Sequence, residues 1–295
     1  MMLEIVLIVF EQFLIHVPLL LGSYISISLM KVPDLSIESA YVCGAIIGAQ
    51  SIPYIGTLPI SIQLIIVIAA SLFGGALVGT TSSLLTQYVG MPHLLSSIIT
   101  FGIFYGINQL IAGSYLSLSS YVNPLITGGF SKHPELIILS CIGIVVSLLI
   151  YLLFKKQLGY AFAIYGNNPY FFQHYGIAIR YVFILGIIIS NALAGLSGYL
   201  FAQSNGFADI NMGFGKALLC ITALILGKVI TQQKGPISIG TPLVGGAAYF
   251  SLQQLLLKIG FNLKYFTTVQ AVVTLCILAI TYRKQTKKHI DHLGV

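Results

Sequence analysis

Charge is what this chain has least of. Of its 295 residues, 7% are Asp, Glu, Lys or Arg, against about 25% in an ordinary soluble domain. With 57% hydrophobic residues and a mean hydropathy of +0.96, a water-soluble fold lacks the polar surface to cover the apolar side chains, which excludes a soluble enzyme or binding domain. The fourteen basic residues are scattered between apolar runs, without a stripe or an aromatic-interleaved patch, so the net charge of +7 does not imply nucleic acid. Cys43, Cys141, Cys220 and Cys276 are widely separated, each in an apolar run. That is not metal-ligand spacing, and they read as small residues buried in lipid or core. His93, His133, His174, His289 and His292 show no ligand pattern, so no metal site is expected. Phosphate loop, nucleophile elbow, dinucleotide fingerprint and any catalytic cluster of His, Asp or Ser are missing too. No enzymatic activity and no cofactor of the chain's own are expected. The start MMLEIVLIVFEQF lacks the basic opening and small-residue cleavage site of a removable signal peptide, and is expected to form the first spanning helix.

What the chain has in abundance is long apolar runs. A crossing needs roughly 20 mostly apolar residues, and candidates fall near 3–29, 37–53, 59–80, 94–112, 135–154, 181–203, 212–230, 238–257 and 265–282. Backbone groups in lipid must bond within their own segment, so these are helices. The expected fold is an all-α polytopic transmembrane bundle of about nine spanning segments, eight to ten, forming one domain over 1–295. Basic residues favour the cytoplasmic side, and they concentrate in three places: Lys155, Lys156 and Arg180; Lys228 and Lys234; and the tail 283–295 with Arg283, Lys284, Lys287 and Lys288. Nine crossings put all three inside and the N-terminus outside. The longest irregular stretch, about 113–134, falls outside. The loop near 82–93 has no Lys or Arg, and a re-entrant second segment would shift the count by one.

A faint repeat divides the chain into two pseudo-repeat halves. Pro33-Asp34-Leu35-Ser36-Ile37 opens one apolar segment, and Ala208-Asp209-Ile210-Asn211-Met212 opens another. Paired, Gly- or Pro-interrupted segments in corresponding halves point to a transporter's central site. An ionised carboxylate at the bilayer centre costs at least about 2.5 kcal/mol, so Asp34, Glu38 and Asp209, at the mouths of apolar segments, are informative. Asp34 and Asp209 read first as helix N-caps, a role compatible with a direct part in the solute path. Lys216, seven positions after Asp209 and thus on the same helical face, fits a carboxylate pair, a snorkelling side chain or a contact with an anionic group on the solute. Asn108, Gln109, Asn191 and Gln203 suit interhelical hydrogen bonds or pathway lining. Ser36 and Asn211 complete the candidate path. Gly74-Gly75-xxx-Gly79, Gly195-xx-Gly198 and Gly245-Gly246 report close helix packing. Glu11 and His16, near Pro18, fit a kinked helix facing protein or a proton relay.

The stretch from Lys155 to Arg180, KKQLGYAFAIYGNNPYFFQHYGIAIR, is longer than hydropathy needs, aromatic-rich and moderately amphipathic. It contains the turn-forming Gly166-Asn167-Asn168-Pro169. Leu158-Gly159-Tyr160-Ala161, then Gly166-Asn167-Asn168-Pro169, then Gly176-Ile177, resembles the coupling segment of ABC importer permeases of the branched-chain amino acid and ribose class. Within that class it is most similar to the tryptophan/tyrosine-type amino-acid permeases. Pro33 to Ile37 is similar to that group's "DLT/DLSV" motif. Asn191-Ala192-Leu193-Ala194-Gly195-Leu196-Ser197-Gly198, followed by Gln203 and Gly206 to Gly213, resembles its "SNALxxLSG" and "GFADxxMG" signature. The matches run in order from residue 33 to about 230. Phe162 and Ile164 stand where that class usually has charged residues, Lys216 replaces a small or apolar one, and 227–235 lacks the usual acidic position.

The resemblance implies a permease dimer, identical or mixed, with a central path in a bacterial cytoplasmic (inner) membrane. An ABC ATPase would grip the 155–180 loop through Leu158, Gly159, Gly166, Asn167, Asn168, Pro169 and Gly176, ATP being used by that partner. A periplasmic or lipoprotein binding protein would deliver a small polar solute. The rival expectation is an ion-coupled secondary transporter, in which Glu11, Asp34, Asp209 and Lys216 are the coupling groups.

Overall fold

The computed structural model describes residues 2–118, 134–174, 178–233, 235 and 237–259, together with 268, 271, 272 and 275. The expected span 265–282 lies for the most part outside the described residues, and the tail 283–295, Gly176 and Cys276 lie wholly outside them.

Ten α-helices occur in the described residues: α1 Met2–Ser23, α2 Ser36–Ile55, α3 Ile60–Tyr88, α4 His93–Ala112, α5 Pro134–Lys155, α6 Gln157–Asn167, α7 Phe171–His174, α8 Ile179–Asn205, α9 Lys216–Thr231 and α10 Gly240–Lys258. A π-helical segment, Tyr24–Leu29, continues α1. Five stretches are long and apolar enough to cross a membrane: Ile5–Leu29, Ile60–Tyr88, His93–Ala112, Glu135–Lys155 and Ile179–Asn205. The expected runs around 37–53, 212–230 and 238–257 are helical as well, as α2, α9 (which starts only at Lys216, after turns at 210–215) and α10, but fall below that standard of length and apolarity. The physical reason is visible in α2, which is buried along nearly all its length and so meets protein, not lipid.

Two short strands, β1 Tyr115–Ser117 and β2 Phe207–Asp209, pair antiparallel and mark one end of the bundle. The helix α6 marks the other. This ribbon adds a small β element to the all-α expectation, and its first strand lies within the stretch expected to be irregular.

The centre is a three-helix contact of α2, α3 and α8, and glycine makes it possible. A Cβ on Gly44 would collide with the backbone of Gly195, one on Gly75 with the carbonyl of Asn191, and one on Gly198 with the carbonyl of Tyr41. Small residues let helix backbones approach until dispersion contacts are dense, the main attraction available where lipid removes the hydrophobic driving force. Around this centre α1 lies antiparallel to α8, tied by Ser197 Oγ donating to the Ile15 carbonyl at 2.8 Å and Ser204 Oγ to Glu11 Oε1 at 2.6 Å. Between α3, α5 and α8 a groove of about 360 Å³ is lined by Ile68, Leu72, Ile142, Val146 and Leu193, with Cys141 at its edge. Cys43 and Cys220 are buried.

The glycine contacts predict a contrast. Gly198→Ala costs about 1–3 kcal/mol by overpacking, whereas Gly106→Ala, whose Cβ meets nothing within 4 Å, is close to neutral. Thermal unfolding of the detergent-extracted variants measures both.

Candidate functional site

Two helices, α2 and α9, start inside the bundle instead of at its ends, each downstream of one copy of the repeated Asp motif. The chain leaves the π-helical segment, turns at Lys31–Leu35 and enters α2 beside the middle of α8. There the Asp34 carboxylate, 2% exposed, collects its partners. Its Oδ1 accepts the Ser36 backbone N–H at 2.9 Å and the Ser36 hydroxyl, and its Oδ2 accepts Asn191 Nδ2 at 2.8 Å. Ser36 Oγ also lies 3.2 Å from Asn191 Oδ1. A buried carboxylate in lipid is tolerable only with such charge-assisted bonds. Thus Asp34, Ser36 and Asn191, read separately from the sequence, form one cluster.

The first turn of α2 organises the second internal start. Glu38 Oε1 accepts the backbone N–H groups of Gly215 at 3.0 Å and Ala217 at 3.2 Å, capping α9 from another helix. The free amides of a helix N-terminus need acceptors when water is absent. The cap of α9 is therefore Glu38, not Asp209. Asp209 ends β2, seven residues before α9, and its Oδ1 accepts the Asn211 N–H at 2.6 Å in a local turn. Asp34 makes the same turn with Ser36, so the repeat is real as local geometry; only Asp34 has been carried into the interior.

Lys216 is likewise corrected. It is the first residue of α9 and shares no helix with Asp209, because residues 210–215 are a series of turns. Its Nζ lies 3.0 Å from His16 Nε2 and between the rings of Tyr41 and Phe201, 4.9 and 4.6 Å from their centroids. His16 Nδ1 faces the Gln12 carbonyl at 2.8 Å, which can only accept. Nδ1 therefore carries the proton, and Nε2 is left to accept from the ammonium.

The remaining expected residues are placed elsewhere. Gln203 accepts the Tyr199 hydroxyl at 3.0 Å. Asp209 and Asn211 sit at the ribbon end. Asn108 is buried on α4 with its Oδ1 unpartnered.

The sequence reading missed His93, although it stands at the centre. Its Nδ1 is 3.0 Å from Thr86 Oγ1, and its Nε2 is 3.6 Å from Asp34 Oδ1, too far for a hydrogen bond. It named Asn108 but missed the rest of a polar stripe on α4, where Ser96, Ser97 and Thr100 face inward with it. The spacing 96, 100, 104, 108 on one helical face was available as a signal. Ser39 Oγ, Tyr41 OH, Ser82 Oγ, His93 Nε2 and Asn108 Oδ1 are buried without hydrogen-bond partners. Each such group costs about 1–3 kcal/mol, and they occupy the inward faces of α2, α3 and α4.

At the opposite end from the ribbon, α6 and α7 fold over the bundle. Residues 157–167, expected as part of a loop, are a helix. Gly159 permits the sharp turn from α5, since a Cβ there would meet the Phe154 backbone at 2.5 Å. Gly166 and Asn167 end α6 and Asn168 caps its C-terminus. Phe162 is buried, which gives this departure from the charged pattern a packing reason, whereas Leu158 (41%), Tyr160 (55%), Tyr170 (68%) and Phe171 (38%) are exposed. Pro169 follows in the turn to α7.

Residues 5–278 match the family described as branched-chain amino acid transport system / permease component. The chain belongs to that family. It is 31% identical over 295 residues to a tyrosine transport system permease protein of Clostridioides difficile, covering 97% of this chain and 96% of the relative. It is 32% identical over 221 residues to an uncharacterised protein of Rickettsia prowazekii, covering 75% of each. An autoinducer 2 import system permease protein of Escherichia coli is 26% identical over 170 residues, 54% of this chain and 47% of that protein. No solved structure matches. The chain is a transport-system permease component with several apolar membrane helices.

The site predicts unequal roles for the two aspartates. Asp34→Asn weakens charge-assisted bonds and costs about 1.5–3 kcal/mol. Asp209→Asn keeps an acceptor for the Asn211 amide and stays within about 0.5 kcal/mol. Thermal unfolding of the two variants distinguishes them, and equal shifts would contradict the assignment.

Proposed function

We propose that this chain is the membrane-spanning subunit of an ATP-driven importer in a bacterial cytoplasmic membrane, moving a small polar solute such as an amino acid. In this reading it crosses the membrane nine times, with the N-terminus outside and the 155–180 and 228–234 connections and the 283–295 tail inside. An ABC ATPase binds the α6–α7 end. An external binding protein docks at the ribbon end, and a second permease copy, identical or homologous, completes the path. ATP is used by the partner, and this chain holds no cofactor.

The observation that carries the reading is the α6–α7 unit. It is structured, it lies across one end of the bundle beside Lys155 and Lys156, and it presents Leu158, Tyr160, Tyr170 and Phe171 outward. Aromatic residues clustered on a rim with charge nearby have the chemistry of a protein interface. Family membership supports the transport role, and full-length similarity to a tyrosine permease supports an amino acid as solute.

The solute path is assigned to the inward faces around Asp34, Ser36, Glu38, Asn108, Asn191 and Lys216, with Gln203, Asp209 and Asn211 toward the ribbon end. Unpartnered polar atoms on α2, α3 and α4 support it, because they offer hydrogen bonds that a passing polar solute satisfies at no further desolvation cost.

The test is co-purification with an ATPase and ATP-dependent uptake of labelled L-tyrosine and L-leucine in inside-out and right-side-out vesicles. The double variant Asn168→Ala, Pro169→Ala lowers ATPase association and uptake together, at least tenfold if the turn supplies about 1.4 kcal/mol of the contact. Uptake driven by a proton or sodium gradient without ATP would favour the ion-coupled alternative, with Asp34 and its neighbour His93 as the coupling pair.

A further inference from the structure

The α6 end of the bundle and the buried Asp34 cluster are far apart in the chain but close in space, and one unusual element joins them. At Tyr24, α1 changes from α- to π-helical bonding, through Leu29. Wide turns of this kind are rare and concentrate at functional places. The segment closes with Met30 N–H donating to the Ile25 carbonyl and Val32 N–H to the Ser26 carbonyl, both at 2.9 Å. Lys31 follows with φ of +57°, a left-handed conformation that a side-chain-bearing residue holds only when its surroundings enforce it.

The surroundings are two connections at one end of the bundle. The last turn of α6 lies directly on the end of the segment: a Cβ on Gly166 would collide with the Leu29 carbonyl oxygen and the Met30 backbone. Beside that contact, Lys31 Nζ donates to Asn167 Oδ1 at 2.6 Å. The connection between α9 and α10 holds the start of the segment, where the Tyr24 hydroxyl accepts the Ser238 N–H at 2.8 Å and Gln233 Nε2 at 3.2 Å. On its inner side Ser190 Oγ donates to Ser26 Oγ at 3.0 Å. Past Lys31 the chain runs through Val32 and Pro33 to Asp34 and its bonds to Ser36 and Asn191.

We infer that the π-helical segment Tyr24–Leu29 transmits movement of the α6 end to the Asp34 cluster, with Gly166, Lys31 and Tyr24 as its positioning residues. This rests on the reading of α6–α7 as the ATPase contact. Backbone lies on backbone at Gly166, so no side-chain rotation absorbs a displacement of α6, and close-packed interiors transmit such strain. The π turn supplies the second state. Rewinding it to α-helix moves the following residues by one position, about 100° around the axis and about 1.5 Å along it, which swings Lys31 to Asp34 relative to Asn191. Discrete shifts of one element past another are how packed interfaces switch.

The experiment uses the complex with whatever ATPase co-purifies, in a chain whose four cysteines are replaced by alanine and Leu35→Cys is added as reporter. Its labelling rate by a small methanethiosulfonate reagent is measured with no nucleotide and with ATP plus vanadate. Nucleotide changes the rate in the reference chain. Gly166→Ala and Lys31→Ala reduce that change at least about fivefold, the lower end of ordinary coupling between sites, while ATPase binding and hydrolysis persist; Lys31→Arg restores part of it and Gly106→Ala leaves it whole. Lys31 is exposed, so its variant still reports if Gly166→Ala fails to fold. An undiminished response in the Gly166 and Lys31 variants, or no response in the reference chain, overturns the inference while leaving the ATPase contact standing. Absence of any co-purifying ATPase removes the underlying reading instead.

Discussion

A helix that begins inside a lipid-covered bundle exposes amide donors where no water can reach them, and the centre of this protein is organised by how that demand is met. For α2 the acceptor is Asp34, two residues before the helix; for α9 it is Glu38, reaching across from the first turn of α2. The second solution depends on the first, since Glu38 is positioned only once α2 has started beside Asn191. Removing the internal starts would leave longer helices and no interior carboxylates.

This arrangement reconciles two features that conflict in simpler bundles. The close contact of α2, α3 and α8 needs residues without side chains, whereas a path for a polar solute needs groups that bond to it. The protein separates them by face. Gly44, Gly75, Gly195 and Gly198 lie where backbones touch, and Ser39, Ser82, His93 and Asn108 present polar atoms without partners. The second set costs about 1–3 kcal/mol per buried atom, and the proposed solute path rests on it.

Much of the architecture was legible in the sequence because lipid imposes a simple rule. Apolar runs of sufficient length had to be helices, and eight of the nine expected runs are helical in the described residues. The packing role of the glycine pairs was legible for a similar reason: nothing but close approach explains small residues at helical spacing in an apolar run. The Gly-Asn-Asn-Pro turn was legible and marks the end of α6, although α6 itself was hidden because Gly159 and Gly166 argue against a helix locally and only their tight contacts with Phe154 and Leu29 explain them.

The sequence by itself determined the membrane class, the helical runs, the family and the identity of Asp34, Ser36 and Asn191 as unusual residues, because composition and period act locally. Only the tertiary structure decided that these three share one set of hydrogen bonds, that Asp209 does not join them, that Glu38 caps a helix some 180 residues away, and that His93 stands against Asp34. Those facts are pairings between distant segments. A lone carboxylate in an apolar run announces that a partner must exist, but the partner's identity is fixed by which helix faces it.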